Sequence, residues 1–495
     1  MQFDNHLASW HGSRTMQAFW LALANLLSMS MTLLMAAVLS RFMSASDYGT
    51  YRQVIFIYYT LLMLFSGGMP RAYSYFLARV PVEEGRCVVM RLSLLLWLSA
   101  AMFSGILFFG SGVIAEAFGN KALATNLCYF AVTPMLLMPV LGVENILIVY
   151  GRARSVTVYV LVSRVVMFVG GVVPVVLFGC EVRGAVIGFV IASAVSCIIG
   201  LRLMFLPFSG VRHVKSEVSL REVLTFVTPV FAASVYGFVI ASSSQFFVSR
   251  YFGVEAFAMF ANGYKELPFV GMIIGAAMVV LLPEFTRMST NRSRMADLRE
   301  LWRSVVLKSC SMIYPLSVFC CFFASEIVTM IYGDAYKQAA ILFMIITVVN
   351  LSRIVPYGPL MLATGNGKQF ARAHLFTALL IVGLDLCCVT FFPSVLAIAI
   401  ISSCCTLFYL GLMLRVIVRV LDTKLWSLMP WMEMLKILVI SVAGCAVARF
   451  VVVACGVTGT FLFLAVGALL FTSLYFPLAL WQHLDYRWIL PVRSK

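Results

Sequence analysis

The sequence predicts an all-α polytopic membrane protein of fourteen transmembrane helices, built as two pseudo-symmetric six-helix bundles followed by two C-terminal helices. Three observations predict it. Of 495 residues, 62% are apolar and only 11% are Asp, Glu, Lys or Arg, whereas a soluble domain carries about 25% charged residues. Long apolar runs recur, and about 20 such residues in a helix cross a ~30 Å hydrocarbon core. A polar motif that follows the first run returns near the middle of the chain. The runs do not alternate polar and apolar residues as membrane-barrel strands do.

In order, the expected spans are 16–39, 53–70, 88–109, 127–149, 156–178, 184–206, 222–248, 264–283, 304–324, 338–363, 375–392, 394–414, 435–453 and 459–481. Pro393 separates the eleventh from the twelfth. Left unsplit, that stretch would be about 40 residues long, too long for tilt to accommodate. The start of the chain, "MQFDNHLASWHGSR", lacks the basic segment and short apolar core of a cleaved signal.

The net charge of +16 raises the question of nucleic acid. A nucleic-acid binder gathers its basic residues on a soluble domain, and no stretch here is large enough to form one. The charge is explained by orientation. With both termini in the cytoplasm, inside segments hold 26 Lys and Arg residues. Outside segments hold 8: Arg41, Arg52, Lys121, Arg183, Arg250, Lys265, Lys337 and Arg449. This is the positive-inside bias, and it fits an even number of spans. The thirteen cysteines lie mostly in apolar runs without metal-ligand spacing and read as small buried residues.

The returning motif exposes an internal repeat. Ser40-Arg41-Phe42 falls on Ser249-Arg250-Tyr251 at an offset of 209, and Tyr48-Gly49-Thr50-Tyr51 falls on Phe257-Ala258-Met259-Phe260. "VIAEAFGN" (113–120) matches "IVTMIYGD" (327–334) at an offset of 214, and "GRAR" (151–154) matches "GNGK" (365–368). The expected organisation is a first lobe at 1–206, a cytoplasmic linker at 207–221, a second lobe at 222–420, and two extra helices with a tail at 421–495. Parallel repeats of this kind occur in transporters that rock one half against the other.

Several of these stretches resemble a known family. "LSRFMSASDYGTY" after the first span is similar to the start of the Wzx-type O-antigen and exopolysaccharide flippases, within the multidrug/oligosaccharidyl-lipid/polysaccharide exporter superfamily. "FVTPVFAAS" (226–234), "PEFTRM" (283–288) and "SEIVTMIYGDAYKQAAILF" (325–343) agree with it in order and spacing. The resemblance covers roughly residues 16 to 420. Ala258 departs from it, standing where the second motif usually has Gly. The first helix lacks the arginine–aspartate signature of the lipid II flippases and the acidic residue common in drug exporters, offering Asn25, Ser28, Ser30 and Thr32.

The resemblance implies a flippase, not an enzyme. It would carry an undecaprenyl-diphosphate-linked oligosaccharide from the cytoplasmic to the periplasmic leaflet. An H+ or Na+ gradient would drive it, as in an antiporter, since the chain has no nucleotide-binding motif. No other cofactor is expected. Expected partners are membrane lipids, a glycan polymerase and glycosyltransferases, with no nucleic acid. Two alternatives stand beside it: a cation-coupled small-molecule efflux pump of the same superfamily, and a membrane glycan polymerase or ligase. The last usually holds its donor in a large outer loop, and the longest expected here, about 110–126, has one lysine and no histidine.

A diphosphate crossing the membrane needs cations, best as arginine forks, and each intramembrane charge needs a cavity or a partner. Arg164 and Arg353 lie within expected spans, and Arg52 and Lys265 at expected outer mouths; these are the candidate substrate-binding cations. Glu144 and Asp385, also within spans, are the candidate ion-coupling groups, because a carboxyl held in the membrane can relay protons. One salt-bridged pair per half is expected, Glu144 with Arg164 and Arg353 with Asp385. Pure helix-pinning pairs are the structural alternative.

Overall fold

The computed structural model describes residues 14–212, 214–288 and 295–482. Its helices fall into two compact units, Met1–Ala258 and Met259–Lys495.

The first unit begins with α1 (Arg14–Phe42) and α2 (Ala45–Ser66). The turn between them is short because Ser44 caps α2: its hydroxyl accepts from the Asp47 amide at 3.1 Å and donates to the Asp47 carboxylate at 2.6 Å. Such a cap satisfies amides at the helix start that would otherwise lack partners. α2 therefore starts eight residues before the expected 53. It runs to Gly67 and Gly68, where the chain bends by 42° into α3 (Met69–Leu77).

α4 (Val82–Phe109) crosses in one piece, and α5 (Ser111–Ala117) occupies part of the expected outer loop. The fourth expected span is broken into α6 (Ala122–Phe130), α7 (Thr133–Leu137), a 3-10 turn at Met138–Val140 and α8 (Val143–Val149). Pro134 and Pro139 sit in that break, where each removes a backbone donor. α9 (Ala153–Val176) and α10 (Val182–Phe205) pack along one another, and α1 lies along α9. α11 (Leu220–Gly263) carries a break at Gly253, whose φ of 85° and ψ of −179° suit glycine alone. At the repeat offset of 209, Gly253 is the counterpart of Ser44, so both halves turn at the same place in the repeat.

The second unit contains α12 (Pro268–Met288), α13 (Met295–Phe322), α14 (Ala324–Tyr332), α15 (Ala340–Val349), α16 (Tyr357–Ala363), α17 (Gly367–Phe391) and α18 (Val395–Val420). α15 and α16 form another broken span. A 3-10 turn at Asn350–Ser352 ends on Arg353, and Pro356 precedes α16. The last two helices, α19 (Trp431–Ala454) and α20 (Thr460–Trp481), pack on α13 and α14. Arg449 of α19 forks onto Glu326 of α14, with a nitrogen–oxygen distance of 3.0 Å, and also donates to the Phe322 carbonyl.

Twelve described helical stretches are long and apolar enough to cross a membrane, and the bent α2–α3 pair raises the count to thirteen. The expected fourteen is not reached. The remaining expected span, 222–248, lies on α11, where the side chains at 229, 230, 232 and 233 fall outside the described residues. Four of the five histidines (6, 11, 213 and 483) and both chain termini also lie outside them.

Candidate functional site

In the first unit, two of the candidate cations line a small cavity of about 70 Å³. Arg52 reaches it from α2 and Arg164 from α9, with Tyr48, Tyr51, Tyr59 and Phe168 among the walls. The early start of α2 explains why Arg52 is there. It sits two turns inside the helix, roughly 10 Å along it at 1.5 Å per residue, instead of at the mouth. Arg164 stands eleven residues into α9, or roughly 17 Å. A cation expected at an outer mouth and one expected within a span thus line the same cavity. Met35 of α1 also lines it and lies 3.8 Å from the Tyr51 hydroxyl.

Glu144 stands just after the α7–α8 break and is exposed. It interacts electrostatically with Arg164, but the two do not form a close ion pair. Tyr159, on α9, feels both charges. The expected first pair is therefore a looser cluster in which the arginine is turned to the cavity.

At the end of the same unit where α1 turns into α2, the two repeated motifs meet. The Gln53 amide donates to the Ser249 hydroxyl at 2.6 Å, and Asn120 donates to Gln53 at 2.6 Å and to Thr50 at 2.9 Å. All four residues are buried. Arg250 donates to the Glu116 carbonyl at 2.8 Å. A Cβ on Gly49 would collide with the backbone and side chain of Val254, so glycine permits this approach of α2 to α11.

In the second unit, Arg353 is ion-paired with Glu266, from the short segment between α11 and α12, and not with Asp385. Because Arg353 lies in the helix break, its side chain is placed by non-helical backbone. Lys265 neighbours Glu266 and is half-buried. The Tyr264 hydroxyl shares a hydrogen bond with Ser403 at 2.9 Å. Burial raises the Tyr264 phenol above its ordinary pKa, so it stays a neutral hydrogen-bonding group beside Arg353.

Tyr409 of α18 also lies within the field of Arg353. Its hydroxyl is 3.0 Å from Nε2 of His374, whose Nδ1 is 3.0 Å from the Phe370 carbonyl. A carbonyl only accepts, so Nδ1 carries the proton and the neutral ring accepts from Tyr409. Asp385 is fully buried on α17 and interacts electrostatically with Cys405 of α18.

Sequence reasoning missed Glu266 as the partner of Arg353, the tyrosines around Arg52 and Arg164, and the His374–Tyr409 link. The first had a signal: Pro356 three residues after Arg353 marks a helix break. The tyrosines had a signal too: Tyr48, Arg52, Ile55 and Tyr59 recur at spacings of four, three and four, on one face of α2. Only the meeting of that face with Arg164 of α9 depends on the fold.

A many-spanning helical protein with broken spans and charges inside the membrane has an architecture that transporters use. Residues 15–289, more than half of the chain, match the polysaccharide biosynthesis protein family. The chain belongs to that family. Among solved structures it resembles the lipid II flippase MurJ in an inward closed conformation, at 14% identity and a TM-score of 0.69, covering 95% of this chain and 99% of that one. It also resembles an inward-facing multidrug resistance MATE family transporter of the MOP superfamily, at 12% identity and a TM-score of 0.62, covering 80% and 95%. A MOP superfamily transporter from Pyrococcus furiosus matches at 14% identity and a TM-score of 0.55, covering 84% and 99%. At these identities the likeness is one of fold. No curated protein matches the sequence.

Proposed function

We propose that the protein is a flippase for an undecaprenyl-diphosphate-linked oligosaccharide of a surface polysaccharide, such as O-antigen or exopolysaccharide. It works by alternating access of the lobes at 1–206 and 222–420, driven by an H+ or Na+ gradient. The observation that carries this reading is the pairing of Arg52 and Arg164 on one tyrosine-lined cavity. Two guanidinium forks match the two phosphates of a diphosphate linkage. Tyrosines offer hydroxyls and ring faces to a sugar.

Arg353 with Glu266, and Lys265 beside them, supply a second cationic station. Glu144 and Asp385 are the coupling candidates.

The test is export of lipid-linked glycan in cells lacking the native protein, with each variant at wild-type abundance. Arg52→Ala and Arg164→Ala are each expected to reduce export at least tenfold, with the Lys variants partly active. Full activity of both Ala variants would falsify the phosphate role. The second reading, small-molecule efflux, draws on the likeness to multidrug transporters. It predicts drug sensitivity with intact glycan export in the deletion strain.

A further inference from the structure

Outside the cavity just described, the first unit carries a groove of about 790 Å³ between α4, α10 and the chain that follows α10. Its walls are mostly apolar; of its two cations, Arg86 stands at the end of the row nearest the start of α4 and Arg91 five residues further along. We propose that this groove is a binding site for an anionic glycerophospholipid, with the phosphate on Arg86 and an acyl chain laid along α4.

Helix geometry supports the fit. Arg86, Met90, Leu94 and Trp97 line the groove at spacings of four, four and three residues, which place them in a row on one face of α4. Met90, Leu94 and Trp97 are all exposed in the chain. From Arg86 to Trp97 is eleven residues, roughly 16 Å at 1.5 Å per residue, about half of the ~30 Å hydrocarbon core. The row thus spans one leaflet, with its charge at headgroup level. Leu201 and Phe205 of α10 form the facing wall.

The guanidinium of Arg86 lies 5.7 Å from the centre of the Phe205 ring, which holds it toward the groove. Arg91 donates to the Val218 carbonyl, so its charge is fixed beside the segment leading into α11. Val214 of that segment lines the groove, and its amide bonds the Glu83 carbonyl at 3.1 Å. Glu83 and Glu84, in the first turn of α4, are not part of the lining. Basic pockets between membrane helices at the cytoplasmic side are suited to anionic headgroups. Placing the site in the cytoplasmic leaflet rests on the charge-based orientation; the binding itself does not.

The experiment places the full-length protein in phosphatidylcholine nanodiscs and titrates phosphatidylglycerol brominated on its acyl chains, which quenches nearby tryptophan. The Trp97 signal is isolated by subtracting a Trp97→Phe control. Quenching of Trp97 is expected to saturate at a few mole per cent of brominated phosphatidylglycerol. Brominated phosphatidylcholine should quench it only in proportion to its mole fraction. Arg86→Gln is expected to shift half-saturation about tenfold higher. Leu94→Trp, which fills the groove, is expected to displace the bound lipid, seen as loss of co-purified phosphatidylglycerol in extracts. Equal quenching by both lipids would overturn the proposal. So would an unchanged titration in Arg86→Gln together with undiminished co-purified lipid in Leu94→Trp. Relief of quenching by millimolar inorganic phosphate would also overturn it, by pointing to a free anion as the ligand.

Discussion

At the scale of single residues, Arg52 shows how a helix start decides where a charge is presented. It sits on a helix whose start is set by Ser44 and Asp47. That cap moves it two turns inward, to the same chamber as Arg164. The sequence held the signal, a Ser with an Asp three residues later, but as part of a polar stretch it reads equally as a loop. Arg353 tells the converse story. Its depth was legible, while its partner depended on a break in the backbone that only the fold makes plain. The Arg353–Glu266 pair is half open, with side-chain exposures of 22% and 60%, so water screens it and its net contribution is about 0–1 kcal/mol. Glu266→Gln is accordingly expected to leave the thermal midpoint of the purified protein nearly unchanged. Arg353→Ala is expected to reduce glycan export severalfold without loss of protein. Comparable export by Arg353→Ala, Asp385→Asn and wild type at equal abundance would remove both residues from the transport path.

At the scale of elements, the repeat was readable as matched letters, and the structure gives it physical content. Ser44 and Gly253 are the same turn reached by two routes, a side-chain cap and a left-handed φ. The broken spans at α6–α8 and α15–α16 were hidden because apolar periodicity continues across them, and only the prolines mark the breaks. The polar cluster ties α2, α11 and the chain before α6 through Gln53, Ser249 and Asn120. All its members are buried, so removing one leaves a buried donor or acceptor of its neighbour unsatisfied, at about 1–3 kcal/mol. Asn120→Ala should lower the thermal midpoint in detergent, and Gln53→Ala more so, since Gln53 both accepts from Asn120 and donates to Ser249. Joining the two substitutions should cost less than the sum, because the bond between them is lost once. Strict additivity in that cycle would mean that the residues are not coupled.

At the scale of the whole molecule, helical class and membrane residence were fixed by composition and run length. The exact number of spans was not, because a bent pair such as α2–α3 satisfies length and apolarity only when its pieces are taken together. Orientation rests on charge, and two native cysteines offer a direct test of it. Cys180, between α9 and α10, and Cys455, just after α19, are both exposed and unpaired by disulfide. The bias of 26 basic residues against 8 assigns both connections to the outer side. Cys87, near the start of α4, belongs by the same count to the inner end. A membrane-impermeant maleimide added to spheroplasts should therefore label the protein, and Cys180→Ser with Cys455→Ser should abolish that labelling. Inverted vesicles should show the reverse, with labelling that persists in the double variant and depends on inward-facing thiols such as Cys87. Labelling of Cys180 and Cys455 only from the inverted side would reverse the topology. It would also reverse the leaflet assigned to the Arg86 groove, while leaving the groove's preference for an anionic lipid to be judged by its own titration.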